Sequence, residues 1–79
     1  MAADVPELVA TISRALADHP EAVAVTETVR GRRHIVRLQV APGDMGRVIG
    51  RDGRVANAIR TLLVAAGGDT TWSLEINDQ

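Results

Sequence analysis

The residues best suited to chemistry form a short segment of glycine and arginine in the middle of the chain. Two glycines enclose two charged residues at positions 50–53, and Arg47 and Arg54 flank this run. Glycine has no Cβ, so a loop of this kind can bring backbone N–H groups against a phosphate. A helix that follows the loop adds unsatisfied N–H donors and partial positive charge at its N-terminus. Arginine supplies planar guanidinium donors that match phosphate oxygens. The segment therefore predicts a phosphate-binding loop.

The spacing of the two glycines is a weak signal by itself. Gly43 and Gly46 are also three residues apart, and there the pattern favours a turn that enters a short helix. At Gly50 and Gly53 two interpretations remain open: a loop that binds phosphate, or a corner between helices that needs glycine only for its geometry. The surrounding arginines favour binding.

Charge is segregated along the sequence. The 79 residues carry a formal net charge of −1, and all nine basic residues are arginine. Residues 29–60 hold eight arginines and two acids, a net +6, whereas the rest of the chain holds one arginine and eight acids, a net −7. A basic block within an otherwise acidic chain indicates one anion-binding face, and scattered solvated charge is the alternative.

The elements that position this segment follow from hydrophobic periodicity. Asp4 precedes an apolar pattern of helical spacing and Pro20 follows it, which predicts the first helix. Two runs of alternating residues around an arginine-rich turn at 30–33 predict an antiparallel hairpin. Gly67 and Gly68 are expected to cap the last helix. The predicted elements are a helix over 5–18, strands over 22–29 and 34–40, helices over 44–49 and 54–66, and a strand over 71–76.

This α-β-β-α-α-β order predicts one α+β domain over residues 1–79. The connection before the last strand is long and helical, as a parallel crossover requires, so we expect that strand to run parallel to the second. The sheet is then mixed, and three helices can cover one face. The residues expected to face inward are Val23, Val25, Val29, Val36, Leu38, Val40, Val55, Ala58, Ile59, Leu62, Leu63, Ala66, Trp72, Leu74 and Ile76.

The run Val48–Arg54 between two helices, together with this element order, resembles the K-homology (KH) domain of type II. The longer string from Val40 to Gly50, continued by Ala58–Leu62, is similar to the small bacterial single-KH RNA-binding proteins of the KhpA family. The resemblance covers essentially the whole chain, and the extended string is far more specific than the glycine pair.

The resemblance implies binding of single-stranded RNA, as an RNA chaperone or post-transcriptional regulator. A KH glycine loop clamps the backbone of about four nucleotides. By position, the resemblance assigns the clamp to Gly50, Arg51, Asp52 and Gly53, with Arg47 and Arg54 beside it. It assigns the apolar floor on which bases lie to Val48, Ile49, Val55 and Ile59. The opposite wall of the groove includes Arg32 and Arg33, in the turn at 30–33. The resemblance also implies a homodimer, or a heterodimer with a larger KH-containing protein.

One residue departs from what a phosphate clamp favours. Asp52 places a carboxylate where a basic or neutral side chain suits a phosphate better, and it repels a phosphate a few ångströms away by about 1 kcal/mol at high dielectric. Two outcomes remain open: the charge lowers RNA affinity, or it is offset because Asp52 pairs with a neighbouring arginine or points to solvent. Neither affects the fold.

Other functional classes receive little support from the residues. The chain has no cysteine and no lysine, so thiolate chemistry and a phosphate-loop lysine are excluded. His19 and His34 lie in different segments and show no metal-ligand spacing, so no metal site is expected. Neither a cofactor nor an enzymatic activity is expected. No apolar run is long enough to cross a bilayer, and a cytoplasmic protein is the expectation. A protein-interaction or dimerisation module with a structural glycine loop stays the alternative.

Overall fold

A computed structural model of the chain describes residues 4–67 and 71–78. The predicted element order and the α+β class are confirmed. Within these ranges no helix has the length and apolar character needed to cross a membrane. The elements are α1 (Val5–Leu16), β1 (Ala24–Arg30), β2 (Arg33–Val40), α2 (Met45–Ile49), α3 (Arg54–Gly67) and β3 (Thr71–Asp78), with single 3₁₀ turns at Pro20–Ala22, Pro42–Asp44 and Arg51–Gly53.

The sheet has the strand order β1-β2-β3 and is mixed, as predicted. β1 and β2 pair antiparallel from Ala24↔Gln39 to Arg30↔Arg33, and β3 pairs parallel to β2. The turn between β1 and β2 is two residues long rather than four. Gly31 supplies positive φ at its first position (61°), which the tight turns of antiparallel hairpins require.

The hydrophobic core lies between one face of the sheet and the helices. Val36, Leu38 and Val40 of β2 are fully buried, because alternate residues of a strand point to the same face. Val9 of α1 and Leu63 of α3 are about equally buried and join the same cluster. Trp72 is partly buried and packs against this core, which confirms its predicted place.

Four residues predicted to face inward are exposed. Val29 is 55% exposed because it lies on an edge strand beside the hairpin turn, where sheet neighbours exist on one side only. On α3 the buried residues are Ala56, Ile59 and Leu63. Ile59 and Leu63 were predicted to face inward, and Ala56 was not. The other three residues that were predicted to face inward but are exposed are Ala58, Leu62 and Ala66, all on α3.

The ends of two helices also differ from the prediction. α1 ends at Leu16 rather than 18, because Ala17 is already extended (φ −80°, ψ 145°). At its start the prediction holds, since the Glu7 N–H donates to the Asp4 carboxylate at 3.1 Å. α3 continues through Gly67, and the predicted cap at Gly68 lies outside the described residues.

Candidate functional site

The run Gly50–Gly53 forms a tight corner between α2 and α3. Gly50 has φ 79° and ψ 170°, and Gly53 has φ 76°, conformations that glycine adopts readily and other residues rarely do. Asp52 is also left-handed, with φ 56° and ψ 24°, a region that Asp and Asn enter more easily than other side chains. The backbone of this corner is therefore set by three residues of positive φ within four positions.

The two glycines are needed for different reasons. A Cβ on Gly50 would lie 2.5 Å from Val55 Cγ2 and 2.8 Å from the Val55 backbone nitrogen, so a side chain there has no space. A Cβ on Gly53 would meet nothing closer than the Asn57 side chain at 3.9 Å. The positive φ alone therefore demands glycine at position 53, and both φ and packing demand it at position 50.

The tip of the corner presents two free backbone donors. The Gly50 N–H donates to Gly46 O at 2.8 Å, the Gly53 N–H donates to Gly50 O at 3.1 Å, and the Arg54 N–H donates to Arg51 O. The N–H groups of Arg51 and Asp52, both exposed residues, have no hydrogen-bond partner among the described residues. Successive unpaired amides of this kind form a concavity that suits an anion.

This pattern of hydrogen bonds corrects one expectation. The helix after the loop was expected to add unsatisfied N–H donors, but the first amide of α3, that of Arg54, donates to Arg51 O. The 3₁₀ turn Arg51–Gly53 satisfies the amides of Gly53 and Arg54, and the last turn of α2 satisfies that of Gly50. The amides without a partner among the described residues belong to the two residues between the glycines.

The arginines around the corner divide into free and paired. Arg51 and Arg54 are exposed and have no carboxylate within ion-pair distance among the described residues. Arg47 is paired, since its Nη2 lies 2.9 Å from Asp18 Oδ2. Two guanidinium groups beside the loop are thus available to an anion, and a third is partly neutralised.

The predicted apolar floor is smaller than expected. Val48 and Ile59 are 0% and 2% exposed, so they belong to the core and cannot contact a ligand at the surface. They are predicted site residues that the structure places in the hydrophobic core. Ile49 and Val55 are partly buried and keep some surface beside the loop.

The arginines of the hairpin turn lie at the end of β2 that is remote from α2, the helix that leads into the loop. Arg32 is in the turn and Arg33 begins β2, which runs for eight residues before the chain enters α2. Seven steps of ~3.3 Å separate the two ends of this eight-residue strand by about 23 Å. The assignment of Arg32 and Arg33 to a wall opposite the loop stays a prediction.

Sequence reasoning missed the residue that anchors α2. Asp44 is 1% exposed, and its carboxylate accepts the N–H groups of Asp18 at 3.2 Å and of His19 at 2.9 Å. From the sequence, Asp44 is an acidic residue at the start of a predicted helix, where negative charge is favoured. The partners lie 25 and 26 positions earlier in the chain, and no local pattern indicates them. Asp44 thus ties the turn after α1 to the helix that leads into the loop.

Comparison with known proteins places these features in a family. The family described as KhpA/KhpB, KH domain, matches residues 6–76. A protein of Caldanaerobacter subterraneus named RNA-binding protein KhpA is 57% identical over 60 residues, which is 76% of this chain and 80% of that protein.

Two further relatives carry the same name. The protein of Treponema pallidum is 47% identical over 74 residues, which is 91% of this chain and 92% of its own. The protein of Listeria monocytogenes is 48% identical over 72 residues, which is 89% and 95% of the two chains. No solved structure gives a significant match.

Proposed function

This chain belongs to the KhpA/KhpB family of KH domains, and on that basis we propose that it binds single-stranded RNA with the loop Gly50–Gly53 gripping the phosphate backbone. The observation that carries the proposal is that the amides of two exposed residues, Arg51 and Asp52, have no hydrogen-bond partner in the part of the chain that the structure describes. The two interpretations of the glycines are compatible: Gly50 is required structurally, and the corner that it permits leaves two donors without a partner among the described residues.

The proposed mechanism is recognition of the backbone rather than of an aromatic stack. The Arg51 and Asp52 amides donate to phosphate oxygens, and the free guanidinium groups of Arg51 and Arg54 add charge and donors. Ile49 and Val55 offer a small apolar surface to a sugar or base. Val48 and Ile59 contribute only indirectly, through the core in which α2 and α3 pack.

The aromatic residues of the chain agree with this mechanism. The sequence has no Phe and no Tyr, and its single tryptophan, Trp72, packs against the core. Domains that stack bases on an exposed aromatic platform need residues that this chain does not offer. Because much of the attraction is then phosphate neutralisation, we expect a Kd of micromolar order that weakens as salt rises.

A partner chain forms the second part of the proposal. We propose that the protein also pairs with a second KH chain, either a copy of itself or a larger KH-containing protein. The family description names two proteins that share this domain.

An exposed apolar stripe on α3 offers a surface for such pairing. It is formed at four-residue spacing by Ala58, Leu62 and Ala66, and Leu62 is 45% exposed. Such pairing suits a role as an RNA chaperone or post-transcriptional regulator. The molar mass in solution of the wild type and of Leu62→Glu tests it.

A titration of the loop variant tests the RNA-binding proposal. Arg51→Asp places a second carboxylate at the tip of the loop and removes one guanidinium, so we expect affinity for an unstructured RNA to fall about tenfold or more. Arg14→Glu is the control, because it changes the net charge by the same amount on the exposed surface of α1. Unchanged affinity in Arg51→Asp, or an equal loss in Arg14→Glu, contradicts the proposal.

A further inference from the structure

On the face of the sheet that the helices leave uncovered, we infer a second phosphate-binding site, formed by Arg30 and Arg33 and separate from the loop. Its ligand is the phosphate backbone of an RNA strand. The inference rests on the proposed function in its choice of ligand, but it concerns different residues on a different surface.

Strand register assigns these arginines to the uncovered face. Val36, Leu38 and Val40 of β2 point into the core, so the odd-numbered residues of β2, Arg33 among them, point to the other face. Arg30 is the direct partner of Arg33 across the antiparallel pair and therefore shares that face.

The two arginines form an uncompensated pair of like charges. Like charges directly opposite each other on neighbouring strands destabilise a sheet. Neither Arg30 nor Arg33 has a carboxylate partner among the described residues, although Arg37 on the same face is paired with Glu75 at 3.3 Å. An anion bound between the two guanidinium groups would remove the repulsion, and a phosphate of a nucleic-acid backbone supplies one at every nucleotide.

The neighbours of the pair are hydroxyl groups rather than acids. Thr71 is the parallel partner of Arg33, and Thr28 and Ser73 flank Ile35 in the next row of the same face. Hydroxyl side chains are common partners of phosphate and sugar oxygens in nucleic-acid complexes. The first acid on this face, Glu75, comes two rows from the pair and is paired with Arg37.

The hairpin end carries more unpaired positive charge than the loop. Within the described residues, Arg30, Arg32 and Arg33 have no acidic partner, a local charge of +3. At the loop, Arg51 and Arg54 are offset by Asp52, a local charge of +1. The larger of these two unpaired positive charges therefore lies at the end of β2 that is about 23 Å from the strand end leading to the loop.

This separation sets the length of RNA that the protein needs. A loop that clamps about four nucleotides leaves the rest of a longer strand free to cross to the hairpin. One strand can then occupy both sites, or two segments can each occupy one. We expect the contribution of Arg30 and Arg33 to be seen only with RNA much longer than the loop footprint.

The test compares two lengths of oligouridylate, of about 5 and about 20 nucleotides, chosen around the four-nucleotide clamp. In Arg30→Gln/Arg33→Gln we expect the affinity for the longer RNA to fall about tenfold and the slope of log K against log salt to fall by ~1.4, as two lost phosphate contacts predict. Affinity for the shorter RNA stays at the wild-type value. Arg51→Asp, in contrast, weakens binding of both.

Two further variants separate binding from folding. The melting temperature of Arg30→Gln/Arg33→Gln is expected to equal or exceed that of the wild type, because like charges are removed, while RNA affinity falls. Arg30→Lys/Arg33→Lys keeps the charge and is expected to retain most of the affinity. Arg14→Gln/Arg60→Gln removes two charges from exposed helical positions and is the matched control.

Three outcomes overturn the inference: wild-type affinity of Arg30→Gln/Arg33→Gln for the longer RNA, an equal loss in the control, or an equal loss with the shorter RNA. Failure of the loop proposal is a different result. The loop proposal fails if Arg51→Asp binds RNA with wild-type affinity, and the comparison of Arg30→Gln/Arg33→Gln with its control can still be made in that case.

Discussion

The α-carbon of Gly50 lies so close to Val55 that no side chain fits between them. A Cβ on residue 50 would lie 2.5 Å from Val55 Cγ2 and 2.8 Å from the Val55 nitrogen, and the backbone there has φ 79° and ψ 170°. This contact joins the end of α2 to the first turn of α3. It fixes the corner on which the two free amides are displayed.

Alanine at the two glycines is predicted to have unequal effects. Gly50→Ala meets both the clash with Val55 and a backbone region open almost only to glycine, so we expect a loss of ~3 kcal/mol or more in the free energy of unfolding. Gly53→Ala meets only the left-handed strain, which costs about 1–2 kcal/mol. Urea denaturation followed by circular dichroism measures both.

Gly46→Ala is the control for these substitutions. Gly46 lies inside α2 with open space around its α-carbon, so alanine is expected to stabilise the helix by up to about 1 kcal/mol. Equal stability of Gly50→Ala and Gly46→Ala would show that the Val55 contact does not constrain the corner.

The buried carboxylate of Asp44 is predicted to be a major source of stability. Asp44→Ala leaves the N–H groups of Asp18 and His19 without their acceptors, and hydrogen bonds to a charged group contribute about 1.5–3 kcal/mol each. We therefore expect a loss of ~3 kcal/mol or more by chemical denaturation. Asp18→Asn, which breaks only the exposed ion pair with Arg47, should cost at most about 1 kcal/mol. A loss in Asp44→Ala no larger than in Asp18→Asn counts against this role.

Neutralising Asp52 is predicted to strengthen RNA binding. The carboxylate lies at the exposed tip beside the free amides, and at a few ångströms it repels a phosphate by about 1 kcal/mol, so Asp52→Asn gains up to about fivefold in affinity. Asparagine also tolerates φ 56°, so stability should be nearly unchanged. Fluorescence anisotropy with a labelled RNA measures the gain. Weaker binding instead would give the carboxylate a positive role, such as positioning Arg51 or Arg54.

The sequence alone predicted the features that depend on local periodicity. The alternation of Val36, Leu38 and Val40 gave the buried face of β2, and the long helical connection gave the parallel pairing of β3. These predictions held because a strand's pleat and the length of a crossover are local properties of the chain.

Contacts between residues that are distant in the chain could not be predicted from the sequence. Periodicity puts Leu62 on the apolar side of α3, but only the packed fold shows that Ile59 and Leu63 fill the contact and leave Leu62 exposed. The same holds for Asp44, whose partners are remote in the chain. Val48 was assigned to the site through the resemblance to KH domains, yet its side chain is fully buried in the core.

The central claim is that the backbone amides of Arg51 and Asp52 contact the RNA. The most direct measurement is the change in each backbone amide resonance, by ¹⁵N–¹H correlation spectra, as an unstructured RNA is added to the wild-type protein. We predict the largest shifts at Arg51 and Asp52, since these donors are free and gain an acceptor. Saturable binding that leaves both resonances unmoved while other amides shift would contradict the account.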